Sequence, residues 1–428
     1  MPGILIQNGR VIDPSQNLDT ETDVVIDRGR IEALAKVGKG AKANFASVFD
    51  ASGMVVCPGL IDMHVHLREP GEEHKETIAS GAAAAAAGGF TGVGSMPNTH
   101  PPTDDASRLG LVLEKAADAR FNVYPFAAIS MGREGKSLTE MAELVEMGAA
   151  GFTDDGSTVA DSHLMRTALE YSSMLGVPIA EHCEDKALTV LGSMHEGLPS
   201  AILGVRGVPG IAEDVIVARD LIIAEYTGGH LHIQHVSTAR SVALIREAKK
   251  RGVHVSCEVC PHHLTLTDED VRDSALNTNF KMYPPLRSRE DVQALRKALK
   301  NGVIDLIASD HAPHHLDDKD TTFEDACVGI VGLETTLGVI LNDLVRGEVI
   351  DLKTAIALMS TRPAEVFGLD AGTLRPGTEA NVTIFDPAAT WTVDPEQFRS
   401  KGRNTPWAGS SLTGKATAVV VKGRLLSA

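Results

Sequence analysis

Cysteine is scarce in this sequence, which also lacks long apolar runs and any excess of positive charge. Its 428 residues include only five cysteines, an odd and low number that argues against a framework of disulfide bonds. No stretch approaches the ~18–20 consecutive apolar residues of a membrane-spanning helix. The first residues also lack the basic segment and apolar core of a secretory signal, so we expect a cytoplasmic protein.

The charge balance narrows the class of partner. A formal net charge of −17 argues against broad binding of nucleic acids or anionic membranes. An anionic small molecule is still compatible with it, because a local pocket can be basic within an acidic protein. A chain of 428 residues exceeds one ordinary domain and fits either two mid-sized domains or a barrel of ~250 residues with an addition.

The two ends of the chain share one pattern. Residues 1–58 and the C-terminal region carry short runs of alternating apolar and polar residues, broken by turn signals such as Asn-Gly and Arg-Gly. Chain termini often meet at the surface of a protein. We therefore expect residues 1–58 and 370–428 to form one composite β-sandwich, with a separate domain over residues 59–369.

The middle of the chain alternates apolar strand-like runs with helical segments, several of which end in glycine, a common helix stop. The eight runs are VVCPGLIDMHVH, FTGVGSMPN, NVYPFAAIS, AAGFTDDG, VPIAEHCED, HLHIQHVS, HVSCEVCPHH and DLIASDHAP. Eight strand–helix units in series predict an α/β fold, a (β/α)₈ TIM barrel whose active site lies at the C-terminal ends of the strands.

Polar side chains stand at the ends of five of these runs. His64 and His66 close the first run, and because residues i and i+2 of a strand share a face, their imidazoles point the same way. Alone, such a pair fits structural histidines as well as metal ligands. The other four ends are Asp154–Asp155, His182 with Glu184 and Asp185, His235, and Asp310–His311.

Together these side chains predict a metal centre. Four imidazoles and two carboxylates at one barrel mouth suit one or two divalent cations, most often zinc. Zinc lowers the pKa of a water that it binds to about 7, and a neighbouring carboxylate can carry the proton to a leaving nitrogen. This chemistry is hydrolysis of an amide-like bond. Alternation lets only one of Asp154 and Asp155 face the centre and does not say which.

The motifs HVHLREPG, GFTDDG, HCED, IQHVST, PPLR, SDHAPH and NTPW resemble the amidohydrolase superfamily and, more closely, the class I (bacterial-type) dihydroorotases. The resemblance extends over nearly the whole chain. It implies two zinc ions, with ligands distributed as follows: His64, His66 and Asp310 on one, His182 and His235 on the other, and Asp155 bridging them. Many amidohydrolases bridge their two metals with a carbamylated lysine instead of an aspartate. No lysine lies near the fourth strand of this chain, and by this resemblance a dihydroorotase is favoured over a hydantoinase or allantoinase.

The resemblance also implies the residues that handle the substrate. Asp310 is the general acid and base. The substrate contacts are His66, Arg68, Asn98, Tyr283, His314 and the backbone at Val328 and Gly329, with Arg68, Asn98 and His314 binding the substrate carboxylate. Tyr283 departs from the family pattern, which commonly has Asn there. Segment 314–327 is predicted to be either a mobile lid or simply a long loop.

Two further histidine-containing groups receive a structural interpretation. Cys257 and Cys260 precede His262–His263, but one Cys-x-x-Cys pair without a second is a weak sign of a separate zinc site. His230 and His232 are out of step with His235 along their strand, so we expect them to point away from the centre.

The sequence therefore predicts a zinc-dependent dihydroorotase of pyrimidine biosynthesis, which interconverts dihydroorotate plus water with N-carbamoyl-aspartate. Another cyclic amidohydrolase, such as a hydantoinase or allantoinase, is the alternative enzyme. A non-catalytic relative that serves as a scaffold for aspartate transcarbamoylase is the alternative from another class. A homodimer, and an association of the active enzyme with aspartate transcarbamoylase, also belong to the expectation.

Overall fold

The structure is a computed structural model that describes residues 3–38 and 45–428. In chain order its strands are β1 Ile4–Asp13, β2 Leu18–Asp27, β3 Arg30–Leu34, β4 Ser47–Asp50, β5 Val55–Pro58, β6 Leu60–Val65, β7 Phe90–Ser95, β8 Asn122–Ala127, β9 Gly151–Phe152, β10 Ile179–Glu181, β11 Met194–His195, β12 Gly207–Val208, β13 Leu231–Ile233, β14 Val255–Val259, β15 Leu306–Ile307, β16 Val382–Thr392, β17 Ser411–Val421 and β18 Arg424–Ser427.

The helices alternate with the strands through the middle of the chain. They are α1 Ile78–Ala87, α2 Ala106–Ala119, α3 Met141–Met147, α4 Ser162–Leu175, α5 Lys186–Thr189, α6 Leu198–Leu203, α7 Ile211–Thr227, α8 Ala239–Lys250, α9 Pro261–Thr265, α10 Asp268–Asp273, α11 Arg289–Lys300, α12 Leu316–Lys319, α13 Thr336–Val339, α14 Leu352–Met359 and α15 Thr361–Phe367. Within the described ranges, none of them has the length and apolar character that crossing a membrane requires.

Eight parallel strands form the barrel in the order β6–β7–β8–β9–β10–β13–β14–β15. A parallel bridge between Val65 and His311 joins the first strand to the segment after the last, and the His66 amide donates to the His311 carbonyl at 2.8 Å. Each of the eight strand-like runs contains one of these strands. The predicted TIM barrel is confirmed.

An alanine run, Ala82–Ala87, forms the second half of α1, which packs on the barrel. Thr77 and Ser80 form a capping box at its start. Alanine is the strongest helix former and its small side chain permits close packing, which is why Ala84 and Ala85 are fully buried. The helix ends at Gly88, where a Cβ atom would lie 2.0 Å from the Leu333 carbonyl oxygen.

Strands from both chain ends join in a second sheet, as predicted. Its order is β18–β17–β16–β5–β1–β2–β3, with β4 paired to β1. Its buried apolar side chains, among them Ile6, Val24, Val382 and Val420, form a core of their own. The domain boundaries at residues 58 and 370 stay a prediction, and residues 1–2 and 39–44 of the first unit lie outside the described ranges.

The run VVCPGLIDMHVH is divided between the two sheets. Strand β5 pairs with β1 and β16 in the terminal sheet, whereas β6 begins the barrel. Gly59 stands between them, and a Cβ atom there would lie 2.0 Å from Thr91 Oγ1. The chain therefore passes from one sheet to the other at a residue without a side chain, and the two histidines follow at the end of β6.

Candidate active site

Asp155 lies at the centre of a buried cluster at the C-terminal ends of the barrel strands. Its Oδ1 atom is 3.3 Å from His64 Nε2 and 3.7 Å from both His182 Nδ1 and His235 Nε2. Its Oδ2 atom is 3.5 Å from His66 Nε2. One carboxylate therefore faces four imidazoles that come from three different strand ends.

Asp310 completes the cluster from the end of β15. Its Oδ1 atom lies 3.0 Å from His66 Nε2 and 3.5 Å from His64 Nε2. On the other side of the cluster, His182 Nδ1 and His235 Nε2 are 2.8 Å apart. The structure thus brings together all six side chains predicted as metal ligands.

Asp154 takes the opposite orientation to its neighbour. It accepts hydrogen bonds from the backbone amide of Ser130 at 3.0 Å and from the Ser130 hydroxyl. Of the two adjacent carboxylates, Asp155 alone faces the histidines. The choice that alternation left open is therefore resolved by the geometry.

Two buried polar atoms of the cluster have the position and chemistry of ligands to a divalent cation. His64 Nε2 and Asp155 Oδ1 are both buried, and within the described part of the chain neither has a hydrogen-bond partner. Buried polar atoms are rarely left in this state. A cation between these two facing atoms would satisfy both, so the donor set fits a metal such as zinc.

The electrostatics of the cluster favour positive charge. Burial opposes ionisation of His64, but the carboxylates of Asp155, Glu258 and Asp310 raise its pKa well above the ordinary value. Burial likewise opposes ionisation of Asp155, yet His64 and the histidines beside it hold the pKa of that carboxyl well below its usual range. A site of this kind stabilises a bound cation.

Glu258, on β14, is a partner of this cluster that sequence reasoning missed. Its Oε1 atom lies 2.5 Å from His64 Nδ1, and its Oε2 atom lies 3.1 Å from His232 Nε2. A carboxylate on Nδ1 fixes the proton there and directs the lone pair of Nε2 into the cluster. A buried glutamate within an apolar strand was the signal available in the sequence.

His230 and His232 face Ser256, which each contacts at 2.8 Å. Cys257 directs its thiol towards the Val303 carbonyl, while Cys260 lies next to His262 and His263, with one candidate ligand atom from each of these three within 4.8 Å of the others.

The backbone is in the left-handed region at three positions around the cluster. The φ angles are 61° at Arg68, 30° at His235 and 49° at Asp310. Residues with side chains adopt this region at a cost and cluster where a site requires a special direction. Here the strained residues are the ligand candidates His235 and Asp310, which follow β13 and β15, and Arg68, which carries a guanidinium group.

A cavity of about 230 Å³ opens above the cluster. Its lining includes every residue predicted to contact substrate: His66, Arg68, Asn98, Tyr283, His314, Val328 and Gly329. Their roles stay predictions, but the barrel and its loops do place them around one space.

Arg68 supplies a buried positive charge to the wall of this cavity. Its Nε donates to the Pro313 carbonyl at 3.2 Å, and its nearest carboxylate, Glu72, is 4.0 Å from Nη1. Burial lowers the pKa of Arg68, although Glu72 opposes the change. Asn98 Oδ1 lies beside His66 Nδ1 at 2.8 Å. The guanidinium is thus able to pair with an incoming anion.

Tyr283 and the segment after β15 form the outer wall. The Tyr283 hydroxyl donates to the Gly192 carbonyl. Lys319 Nζ donates to the carbonyls of Thr278, Lys281 and Cys327 at 3.1, 3.2 and 2.7 Å. These contacts hold segment 314–327 against the barrel, with α12 inside it, and whether the segment moves as a lid stays a prediction.

The chain matches known proteins over its whole length. A family profile described as "Dihydro-orotase-like" matches residues 53–241, and one described as "Amidohydrolase family" matches residues 219–426. A dihydroorotase of Geotalea daltonii is 50% identical over 425 residues, which cover 99% of each chain. The chain belongs to the dihydroorotase family. A dihydroorotase of Syntrophus aciditrophicus, 50% identical over 424 residues and 99% of each chain, agrees with this assignment.

A solved structure extends the family assignment to the fold. The L-hydantoinase (dihydropyrimidinase) of Arthrobacter aurescens superposes with a TM-score of 0.87 at 26% identity, covering 100% of this chain and 96% of that one. This chain therefore shares its architecture with that L-hydantoinase. The resemblance that the motifs indicated is confirmed.

Proposed function

We propose that the protein is a zinc-dependent dihydroorotase that interconverts dihydroorotate plus water with N-carbamoyl-aspartate in pyrimidine biosynthesis. The observation that carries the proposal is the pairing of two features across one cavity. A cluster of four imidazoles and two carboxylates lies at its base, and a buried guanidinium, Arg68, lies in its wall. The family to which the chain belongs supports the same reaction.

The residues that would hold zinc are His64, His66, His182, His235, Asp155 and Asp310, and two ions are favoured over one. Zinc supplies Lewis acidity towards the amide carbonyl and towards water. Glu258 orients His64 for this role through its contact with Nδ1.

Asp310 is the group that moves the proton in this proposal. Burial opposes its ionisation, but His64 and His66 hold the pKa of its carboxyl below the usual range, so it is ionised at neutral pH. In ring opening, water forms a bond to the ring amide carbon and the carbon–nitrogen bond breaks. Asp310 takes the proton from that water and gives it to the leaving nitrogen.

Arg68, Asn98 and His314 orient the substrate. A guanidinium binds a carboxylate through two parallel hydrogen bonds, which sets the rotation of the ring as well as its position. The backbone of Val328 and Gly329 borders the same space and supports the ring. This arrangement turns the amide carbonyl towards the base of the cavity.

A hydantoinase-like activity is the second candidate, because the Arthrobacter structure shares the fold at 26% identity. A cyclic amide without a carboxylate would gain no charge-assisted contact with the buried Arg68 guanidinium. This argument favours dihydroorotate. A scaffold without activity would need none of the six ligand-type side chains, and the chain retains all of them.

The test is an assay of the purified protein on dihydroorotate, hydantoin and allantoin, with elemental analysis of its metal. We expect turnover of dihydroorotate alone, loss of activity on chelation and recovery on addition of zinc. Full activity in protein shown to hold no metal would contradict the proposal. A preference for hydantoin or allantoin would favour the second candidate. Homodimer formation, association with aspartate transcarbamoylase and the cytoplasmic location stay predictions.

A further inference from the structure

Three ligand-type side chains meet in the outer wall of the cavity, apart from the six at its base. They are His314, Asp318 and Cys327, and one candidate ligand atom from each lies within 4.8 Å of the other two. All three belong to the segment after β15, and α12 carries Asp318. Imidazole, carboxylate and thiolate are each common zinc ligands.

The hydrogen bonds of His314 leave one ring nitrogen free to bind a metal. Its Nε2 lies 2.8 Å from the Val328 carbonyl, and because a carbonyl can only accept, Nε2 carries the proton. Arg68 Nη2 is also near Nε2, but at 3.4 Å that contact is the weaker. The lone pair is then on Nδ1. A proton on one nitrogen, donated to a carbonyl, is the usual second contact of a metal-bound histidine.

That free nitrogen is buried and without a partner. His314 is 7% exposed, and among the described residues Nδ1 makes no hydrogen bond. Its nearest carboxylate oxygen is Asp318 Oδ2, at 3.6 Å. Ligand atoms on one tetrahedral zinc lie about 3.5 Å apart, given bond lengths of about 2.0–2.3 Å. The imidazole and the carboxylate already have this spacing.

The charges around the cluster support a neutral imidazole at His314. Burial lowers the pKa of His314 to about 2, with Arg68 and Lys319 adding to the effect, so the ring stays neutral. Lys75 Nζ lies 3.7 Å from Asp318 Oδ2, and Lys319 binds the Cys327 carbonyl. These cations oppose a bound divalent ion, whereas a thiolate and a carboxylate together balance its charge.

We propose that His314, Asp318 and Cys327 form a second metal site, for zinc or a softer divalent ion such as cadmium, in the wall of the cavity. Thiolate ligands select such ions over magnesium or calcium. The same imidazole lines the cavity and is proposed to bind the substrate carboxylate, so an ion on its Nδ1 atom should interfere with substrate binding and inhibit the enzyme. The inhibitory consequence rests on the proposed function, whereas binding of the ion does not.

The experiment is a titration of the zinc-loaded protein with cadmium, followed by the ultraviolet charge-transfer band of a cadmium–thiolate bond. The six ligand candidates at the base include no cysteine, so cadmium exchanged into that cluster produces no such band. We expect the band in the native protein and its loss in Cys327→Ser. Survival of the band in Cys327→Ser would overturn the proposal, because the band would then come from another thiol. Cys260→Ser tests whether that thiol is Cys260.

A second variant separates a three-ligand site from a lone reactive thiol. Asp318→Asn should weaken cadmium binding by at least about tenfold, since even outer partners of a metal site are worth that much. Asp317→Asn is the matched control, because Asp317 is the adjacent carboxylate and its side chain is 91% exposed. Equal affinity in Asp318→Asn and Asp317→Asn would show that the thiol binds alone and would overturn the site.

Inhibition is measured as the rate of dihydroorotate turnover with excess zinc divided by the rate without it. We expect this ratio to fall in the native protein and to stay near one in Cys327→Ser. Equal inhibition in both would overturn the inhibitory role. If the protein turns over no dihydroorotate, the cadmium band still reports on the site, so failure of the proposed function and failure of the metal site are distinguishable.

Discussion

The base and the wall of the cavity are built in different ways. At the base, the ligand candidates stand at the ends of barrel strands, and His64, Asp155 and His235 are almost completely buried. The wall comes from loops, whose positions depend on contacts such as that of Arg68 with the Pro313 carbonyl. Strand geometry dictates the first region, whereas individual long-range contacts dictate the second.

This difference explains what each region can do. The strand ends hold several like groups at short distances from one another, as required to bind a cation tightly. The loops present one buried charge and a few hydrogen-bonding groups around an open space, as required to choose a substrate. Substitutions at the base should therefore abolish chemistry, and substitutions in the wall should change substrate affinity.

The largest effect is expected at Asp310. Asn keeps the shape of the side chain and can offer one oxygen to a metal, but it cannot carry a proton. Asp310→Asn should lower turnover by about 10²–10⁴-fold, the usual contribution of a general acid or base. Asp154→Asn is the control, because this buried carboxylate bonds Ser130 and faces away from the cluster. Near-normal turnover in Asp310→Asn, with the fold verified by circular dichroism, would assign proton transfer to another group.

Arg68 provides the next test, on the side of the wall. Arg68→Met removes a charge-assisted contact worth about 1.5–3 kcal/mol, which corresponds to a rise in KM of about 10- to 150-fold. Metal content should be unchanged, because the hydrogen bonds and ion pairs of the guanidinium in the described ranges are with Pro313, His314 and Glu72, none of which is among the six ligand candidates. Arg68→Lys keeps the charge but loses the two parallel hydrogen bonds, so its KM should lie between those of the native protein and Arg68→Met. Lost metal, or an unchanged KM, would contradict the division between base and wall.

Much of the base could be predicted from the sequence because alternation is a strict rule within a strand. It placed His64 and His66 on one face, and the ends of the other strands followed from the barrel. Alternation alone could not choose between Asp154 and Asp155, because the chain leaves the strand there and turns at Gly156, whose φ is 74°. The choice depends on Ser130, which lies far away in the sequence.

The wall was predictable only through family resemblance. Arg68, Asn98 and His314 come from separate loops, and no periodicity connects them. His314, Asp318 and Cys327 come together in a segment that Lys319 holds in place by donating to three carbonyls. No local feature of the sequence predicts those hydrogen bonds. Glu258 was missed for another reason: its position in an apolar strand marks it as buried but does not identify its partner.

Glu258 tests whether the base depends on its outer contacts. Glu258→Gln removes the anion from His64 Nδ1 and leaves the side chain nearly unchanged in size. Metal affinity should fall by about 10- to 100-fold, as is usual when the outer partner of a ligating histidine is lost. Glu181→Gln is the control, since Glu181 is an equally buried carboxylate whose side chain accepts from the Val159 amide instead. Equal metal affinity in both variants would show that His64 needs no orienting group.

The smallest effect is expected at Tyr283, where the chain departs from the family pattern. Its ring borders the cavity, but its hydroxyl donates to the Gly192 carbonyl. The hydroxyl therefore positions the wall and does not replace an asparagine amide on the substrate. Tyr283→Phe should lower kcat/KM by about 2- to 13-fold, the value of one neutral hydrogen bond of about 0.5–1.5 kcal/mol, and mainly through KM. Tyr283→Asn should remain active on dihydroorotate. If instead the native protein prefers hydantoin and Tyr283→Asn creates dihydroorotate turnover, then Tyr283 selects the substrate, and the base of the cavity serves a different cyclic amide.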